Sequence, residues 1–167
     1  MRLLRLFSRL RKDSGQSLVE LALVLPLLVL LTLGTYDVAR AMRTKNTLIN
    51  LSREGANLAL RGPRTVADLQ TVMTSLAATA HPLEMDKKGM MYVIQVKVKD
   101  GVRTINPIAW DKNPSGPCSK IDTNDPSSLA GTVPVANGEV CIFEVVYTYK
   151  SVLLPSYDRE LHSITVF

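Results

Sequence analysis

The hydrophobic and polar positions change their period several times along the chain. Leu18 to Tyr36 is an apolar run broken by one charged residue, Glu20. As a helix, these nineteen residues rise about 28 Å, close to the hydrocarbon thickness of a bilayer. From Asp37 the pattern becomes amphipathic. Ala39, Met42, Ile49, Ala56 and Ala59 fall near one helical stripe, and Arg40, Arg43, Lys45 and Arg53 take other faces. That stripe is expected to cover the core of a folded domain, with Gly55 and Ala56 small enough for another surface to come close. Gly62-Pro63 then stops the helix.

Thr65-Val66-Ala67-Asp68 is a capping-box variant that opens a second helix reaching about Ala80. Val66, Leu69, Val72, Met73 and Leu76 form its apolar face, and His81-Pro82 ends it. Met91 to Lys99 alternates with period two. Tyr92, Ile94, Val96 and Val98 point one way, and Gln95, Lys97 and Lys99 the other. Asp100-Gly101 is a strong hairpin signal, so Val102 to Ile105 should return antiparallel. Asn106 to Asn137 is rich in proline and glycine and too long to be a bare connection; it should be tethered, and Cys118 offers a means. Val140 to Tyr149 is the central strand candidate, with Cys141, Phe143, Val145, Tyr147 and Tyr149 on one face, and Leu161 to Phe167 is a last strand. The fold class is therefore α+β: a long membrane-crossing and amphipathic helix, a second helix, and a small antiparallel sheet of about four strands.

Charge refines this picture through its position. The net charge is +5, but residues 1–15 alone carry +4, from Arg2, Arg5, Arg9, Arg11 and Lys12 against Asp13. The rest of the chain is nearly neutral, so no basic face is left for nucleic acid, and none is expected as a partner. A basic flank before an apolar run orients the segment with its N-terminus on the cytoplasmic side and favours anionic lipid. Leu33-Gly34-Thr35-Tyr36 offers no small-residue cleavage site, so removal of the whole apolar segment is disfavoured.

The candidate chemistry is sparse. Cys118 and Cys141 both lie on the expected exported side, where paired cysteines usually bond. Such a bridge would contribute about 3–4 kcal/mol on a chain-entropy model; two free buried thiols are the alternative. No CxxC, HExxH or phosphate loop occurs. His162, Asp158 and nearby serines are triad residue types without triad spacing, so no enzyme and no cofactor is expected. Asp122, Asn124 and Asp125 put three oxygen side chains within four residues, a weak calcium candidate that is more often a solvated turn. Trp110, the lone tryptophan, is either a binding hot spot or packing over the sheet edge, and packing is the simpler reading.

Glu20 stands out because a carboxylate inside an apolar helix costs up to about 3 kcal/mol near the bilayer centre and less toward an end. It can snorkel to the headgroups, which explains tolerance but no purpose. A cut after Gly15 would leave the new amino group of Gln16 about one turn away, where the two charges could neutralise each other. Gly15 followed by Glu20 and an apolar helix resembles the class III signal of type IV pilin-like proteins. The stretch GQSLVELALVLPLLVLLTLGTYDVAR resembles the start of TadE-like minor pseudopilins of tight-adherence (Tad/Flp, type IVc) pilus systems. LSREGANLALRG is similar to the end of that family's first helix, and FEVVYTYKSVLLP, more loosely, to its late strand. Leu21 stands where Flp-type major subunits commonly carry an aromatic, which fits a minor component better.

The resemblance implies that a prepilin peptidase cuts between Gly15 and Gln16, that Glu20 is read in processing and pairs with a neighbouring subunit's N-terminus, and that a bend at Pro26 suits packing in a fibre. It implies as partners the peptidase, other pilins and pseudopilins, the inner-membrane assembly machinery and membrane lipid. The organisation expected is a basic cytoplasmic leader 1–15, a transmembrane helix 16–36, its amphipathic continuation 37–62 and an exported α+β head 63–167. The alternative is an uncleaved signal anchor carrying an extracytoplasmic binding or sensing domain.

Overall fold

The computed structural model describes residues 2–61, 65–122, 138–153, 156 and 158–167. The elements are α1 (Arg2–Arg61), α2 (Val66–Thr79), α3 (Met85–Lys88), β1 (Gly89–Lys99), β2 (Val102–Ala109), β3 (Gly138–Lys150) and β4 (Asp158–Val166). Two compact units divide the chain, Met1–Arg40 and Ala41–Phe167.

The first unit is helical, with Pro26 inside α1. From Leu18 to Leu33 its large apolar side chains are exposed, Leu23 by 77%. Thr32 and Thr35 turn their hydroxyls back to the carbonyls of Leu28 and Leu31, both at 2.8 Å, so neither asks for water. Among the described residues, one helical stretch, Gly15–Ala59, is long and apolar enough to cross a membrane.

In the second unit the sheet order is β2-β1-β3-β4, antiparallel throughout. The β1–β2 hairpin turns at Asp100 (φ 51°) and Gly101 (φ 79°). Two left-handed residues in succession match the strand twist, which is why Asp-Gly works there. β2 runs on through Asn106 and Pro107 to Ala109, beyond the expected end at Ile105. An edge strand tolerates Pro107 because its missing N–H points away from the ladder.

Helix α2 starts as its sequence signals. Thr65 is the N-cap, and the Asp68 N–H donates to its hydroxyl at 3.3 Å. Leu69, Met73 and Leu76 are buried, but Val66 is exposed. On α1 the buried stripe is Thr44, Leu48, Leu51, Ser52, Gly55, Ala56 and Ala59. The expected stripe was partly misplaced: Ala39 and Met42 are exposed and Ile49 is half-buried. Ser52 holds a core position because its hydroxyl donates to the Ile49 carbonyl at 3.0 Å and meets Ser163 Oγ at 2.9 Å and Thr165 Oγ1 at 3.0 Å. A hydroxyl satisfied in this way is buried without penalty, and hydropathy alone does not rank it as core.

The central strands are buried on both faces. Met91, Val93, Phe143 and Val145 join the cluster that includes Leu48, Leu51, Ala56, Leu69, Met73 and Leu76. Ile94, Val96, Val98 and Ile142 form a second cluster, with Ile121 packed against it. Gln95, expected on a solvent face, is buried. The segment after β2 lies over this second face as a strap. Asn113 Nδ2 donates to the Gly89 carbonyl at 2.7 Å, and the Tyr92 hydroxyl donates to that of Pro117 at 2.9 Å. Helices on one face and the strap on the other give the inner strands their near-continuous apolar composition. Trp110 is buried, its indole N–H donating to Thr74 Oγ1 at 3.2 Å; its role is packing between α2 and the sheet.

Candidate processing and assembly site

Gly15, Gln16 and Glu20 lie on one exposed stretch of α1 in the first unit. The Gln16 side-chain amide donates to Glu20 Oε1 at 3.2 Å, an i,i+4 contact on one face of the helix. The carboxylate therefore already points back toward Gln16. A Cβ built on Gly15 meets nothing within 4 Å. A glycine inside a helix costs about 1 kcal/mol relative to alanine, and no close approach in this fold requires it. Pro26 lacks the N–H that would bond the carbonyl four residues back, so it leaves an acceptor open within the apolar run.

Glu144 was not singled out from the sequence. It sits in the middle of β3, fully buried, on the face that the strap covers. The Lys120 backbone N–H donates to its Oε1 at 2.8 Å, and the Ser119 hydroxyl donates to its Oε2. Lys120 also pairs with Glu160 of β4, and that bond raises the lysine's pKa. Burial, and then the charges of Cys118 and Glu144, push the Tyr92 phenol upward. An acidic residue within an apolar strand pattern is the signal that could have marked Glu144 as the strap's anchor.

Cys118 and Cys141 are not joined by a disulfide; the first is exposed and the second buried. The bridge expected between them is not formed. Cys141 shares the helix-facing side of β3 with Phe143 and Val145, whereas Cys118 follows Pro117 on the strap, so the sheet stands between the thiols. Side-chain and backbone hydrogen bonds tether the strap instead. Asp122 is exposed, while Asn124 and Asp125 lie outside the described residues. Among the described residues, no group of three His, Cys, Asp or Glu side chains could hold a metal.

Surface depressions also mark the second unit. One of about 430 Å³ is lined by Lys87, Lys88, Thr148 and Lys150; another of about 470 Å³ is lined by Thr74, Leu83, Met85 and Trp110. Neither gathers a nucleophile, a base and an orienting acid.

The class these features define is an α+β protein whose first core helix also carries an exposed apolar segment of membrane-crossing length. Residues 15–57 match the model of the TadE-like protein family, so this stretch of the chain is similar to that family, consistent with a component associated with a Tad pilus. No curated protein and no solved structure matches the chain significantly.

Proposed function

We propose that the protein is a minor pseudopilin, a structural and assembly component of a Tad pilus. A prepilin peptidase removes residues 1–15, and the chain stays anchored in the inner membrane by its apolar helix with the α+β head on the outer side. One observation carries the reading: the family match begins at Gly15, a helical glycine with open space around it. Its lack of a side chain serves an enzyme that must take the backbone in an extended form, since no neighbour in the fold demands it.

Glu20 follows from the same event. Cleavage makes Gln16 the first residue and gives it an α-amino group, a cation in its protonated form. The i,i+4 contact between Gln16 and Glu20 supports a carboxylate directed toward that amine. Within one subunit or between neighbours, the pair neutralises a charge that the lipid would otherwise penalise. As the fifth residue of the new helix, Glu20 also lies near the positive end of its dipole.

The test is intact-mass and N-terminal analysis of the protein from its native membrane. Gln16 as the first residue is the expected result. Retention of the Arg-rich leader, or a cut beyond Leu33, would leave an anchored binding or sensing domain as the better description. Glu20→Ala should impair incorporation into the fibre more than membrane insertion; unchanged piliation would remove the role assigned to Glu20.

A further inference from the structure

We infer that Gln70, Pro107 and Lys45 are edge guards, which close the sheet against strand addition by a second copy of this chain. The inference rests on the second unit alone and holds whatever the leader's fate. Among the described residues the four-stranded sheet has two edges, the outer sides of β2 and β4. Each presents backbone donors and acceptors able to pair with a like strand.

On β2, Trp110 N–H donates to the Met91 carbonyl at 2.9 Å. Residues of even number therefore turn their backbone groups to β1, and those of odd number turn outward. Gln70, reaching from α2, meets the outward groups at the end of the strand. Its Nε2 donates to the Ala109 carbonyl at 2.7 Å, and its Oε1 accepts from Asp111 N–H at 3.1 Å. One amide that bonds the carbonyl before Trp110 and the N–H after it reproduces the contact of a residue on a parallel strand. The next outward position inward along β2 is Pro107, which has no N–H to offer. Ile105 is the following outward position.

On β4, the mutual bonds between Cys141 and Phe167, at 2.9 and 3.0 Å, set the opposite parity, so residues of even number face outward. His162 is central among them, and its carbonyl accepts from the Lys45 ammonium of α1. A cation held at mid-edge would have to be displaced before another strand could dock. Among the described residues, both edges are thus guarded by side chains from the helices, with Pro107 of β2 beside one of them.

The test uses the full chain in detergent micelles and reads amide hydrogen exchange with particle mass. In the parent, Ile105 and His162 amides should exchange freely. In a Gln70→Ala, Pro107→Val variant, Ile105 should become protected with a rise in mass; in Lys45→Ala, His162 should. Pro107→Val alone, which leaves α2 contacts intact, serves as the variant least able to disturb folding and should show partial Ile105 protection. Unchanged Ile105 and His162 exchange and mass in every variant, with native circular dichroism, would overturn the inference. Protection of these amides already in the parent would overturn it too, because the edges would then be paired rather than guarded.

Discussion

A Cβ built on Gly55 of α1 would stand 2.5 Å from Cζ of Phe143, at the centre of β3. Phe143 is fully buried, with Val93 and Val145 beside it in the same cluster. The ring lies flat against the helix backbone at the one position of that stripe that has no side chain. Helix and sheet therefore meet at a distance set by glycine.

Gly55→Ala tests this contact. Alanine gains up to about 1 kcal/mol in helix propensity, but the ring is fully buried in the core cluster, and overpacking costs about 1–3 kcal/mol. The expected net result is a lower unfolding midpoint by thermal or chemical denaturation. Adding Phe143→Leu should recover part of the loss, because the pair is coupled through one contact. Independent, additive losses would show that the contact does not limit packing.

Gly15→Ala should behave in the opposite way. Its Cβ enters open space, so circular dichroism should show helicity equal to or above that of the parent. Processing should fail, with the leader retained on intact-mass analysis. Normal processing of this variant would separate the glycine from the cleavage reading.

The contrast between these two glycines shows how much the sequence disclosed. Local patterns were enough for the two longer helices and the four strands in order, the Asp100-Gly101 hairpin, the Thr65 cap and the helix-facing side of β3; the four-residue α3 carries too short a pattern and was not foreseen. Gly15, Gln16 and Glu20 were visible because Glu20 is a charged exception within an apolar run that Gly15 and Gln16 precede. The strap was not legible beyond the need for a tether. Its anchors, Tyr92, Asn113 and Glu144, are far from it in sequence or have no partner until the chain is folded. The cysteines suggested a bridge because spacing says nothing about which side of a sheet a thiol occupies. The α1 stripe was displaced for a similar reason: Thr44 and Ser52 are buried through tertiary contact, against their hydropathy.

Glu84 supplies a pH dependence. Hydrogen bonds from Lys88 and then Lys87, at 2.8 and 3.0 Å, lower its pKa from 4.5 to about 2. A depressed carboxylate contributes stability that is present above pH 4.5 and lost as pH falls toward 2. Glu84 and Lys87 are exposed and Lys88 is half-buried, so the effect should be local to the α3 turn and weaken with salt. An NMR titration of the Glu84 carboxyl should give a midpoint well below 4.5, moving upward in Lys88→Ala. An ordinary midpoint at low salt would show the pairs to be transient.

Glu144 offers the sharpest test of the strap. Its carboxylate accepts from the Ser119 hydroxyl and from the Lys120 backbone N–H. Glu144→Ala removes both acceptors and strands a donor in a half-buried position, which costs about 1–3 kcal/mol. The loss should concentrate in the strap: the Lys120 amide should exchange faster and proteases should cut between Asn113 and Asp122, while the Met91 and Val93 amides stay protected. Glu144→Gln separates hydrogen bonding from charge. Its carbonyl can still accept from Lys120 N–H and its amide can donate to Ser119 Oγ, so the strap should hold with only a small loss. If Gln releases the strap as fully as Ala does, the negative charge rather than the bond geometry fastens it. If neither variant changes Lys120 exchange, the tether lies in the Tyr92–Pro117 and Asn113–Gly89 bonds, and Glu144 is a buried acid that the strap merely covers.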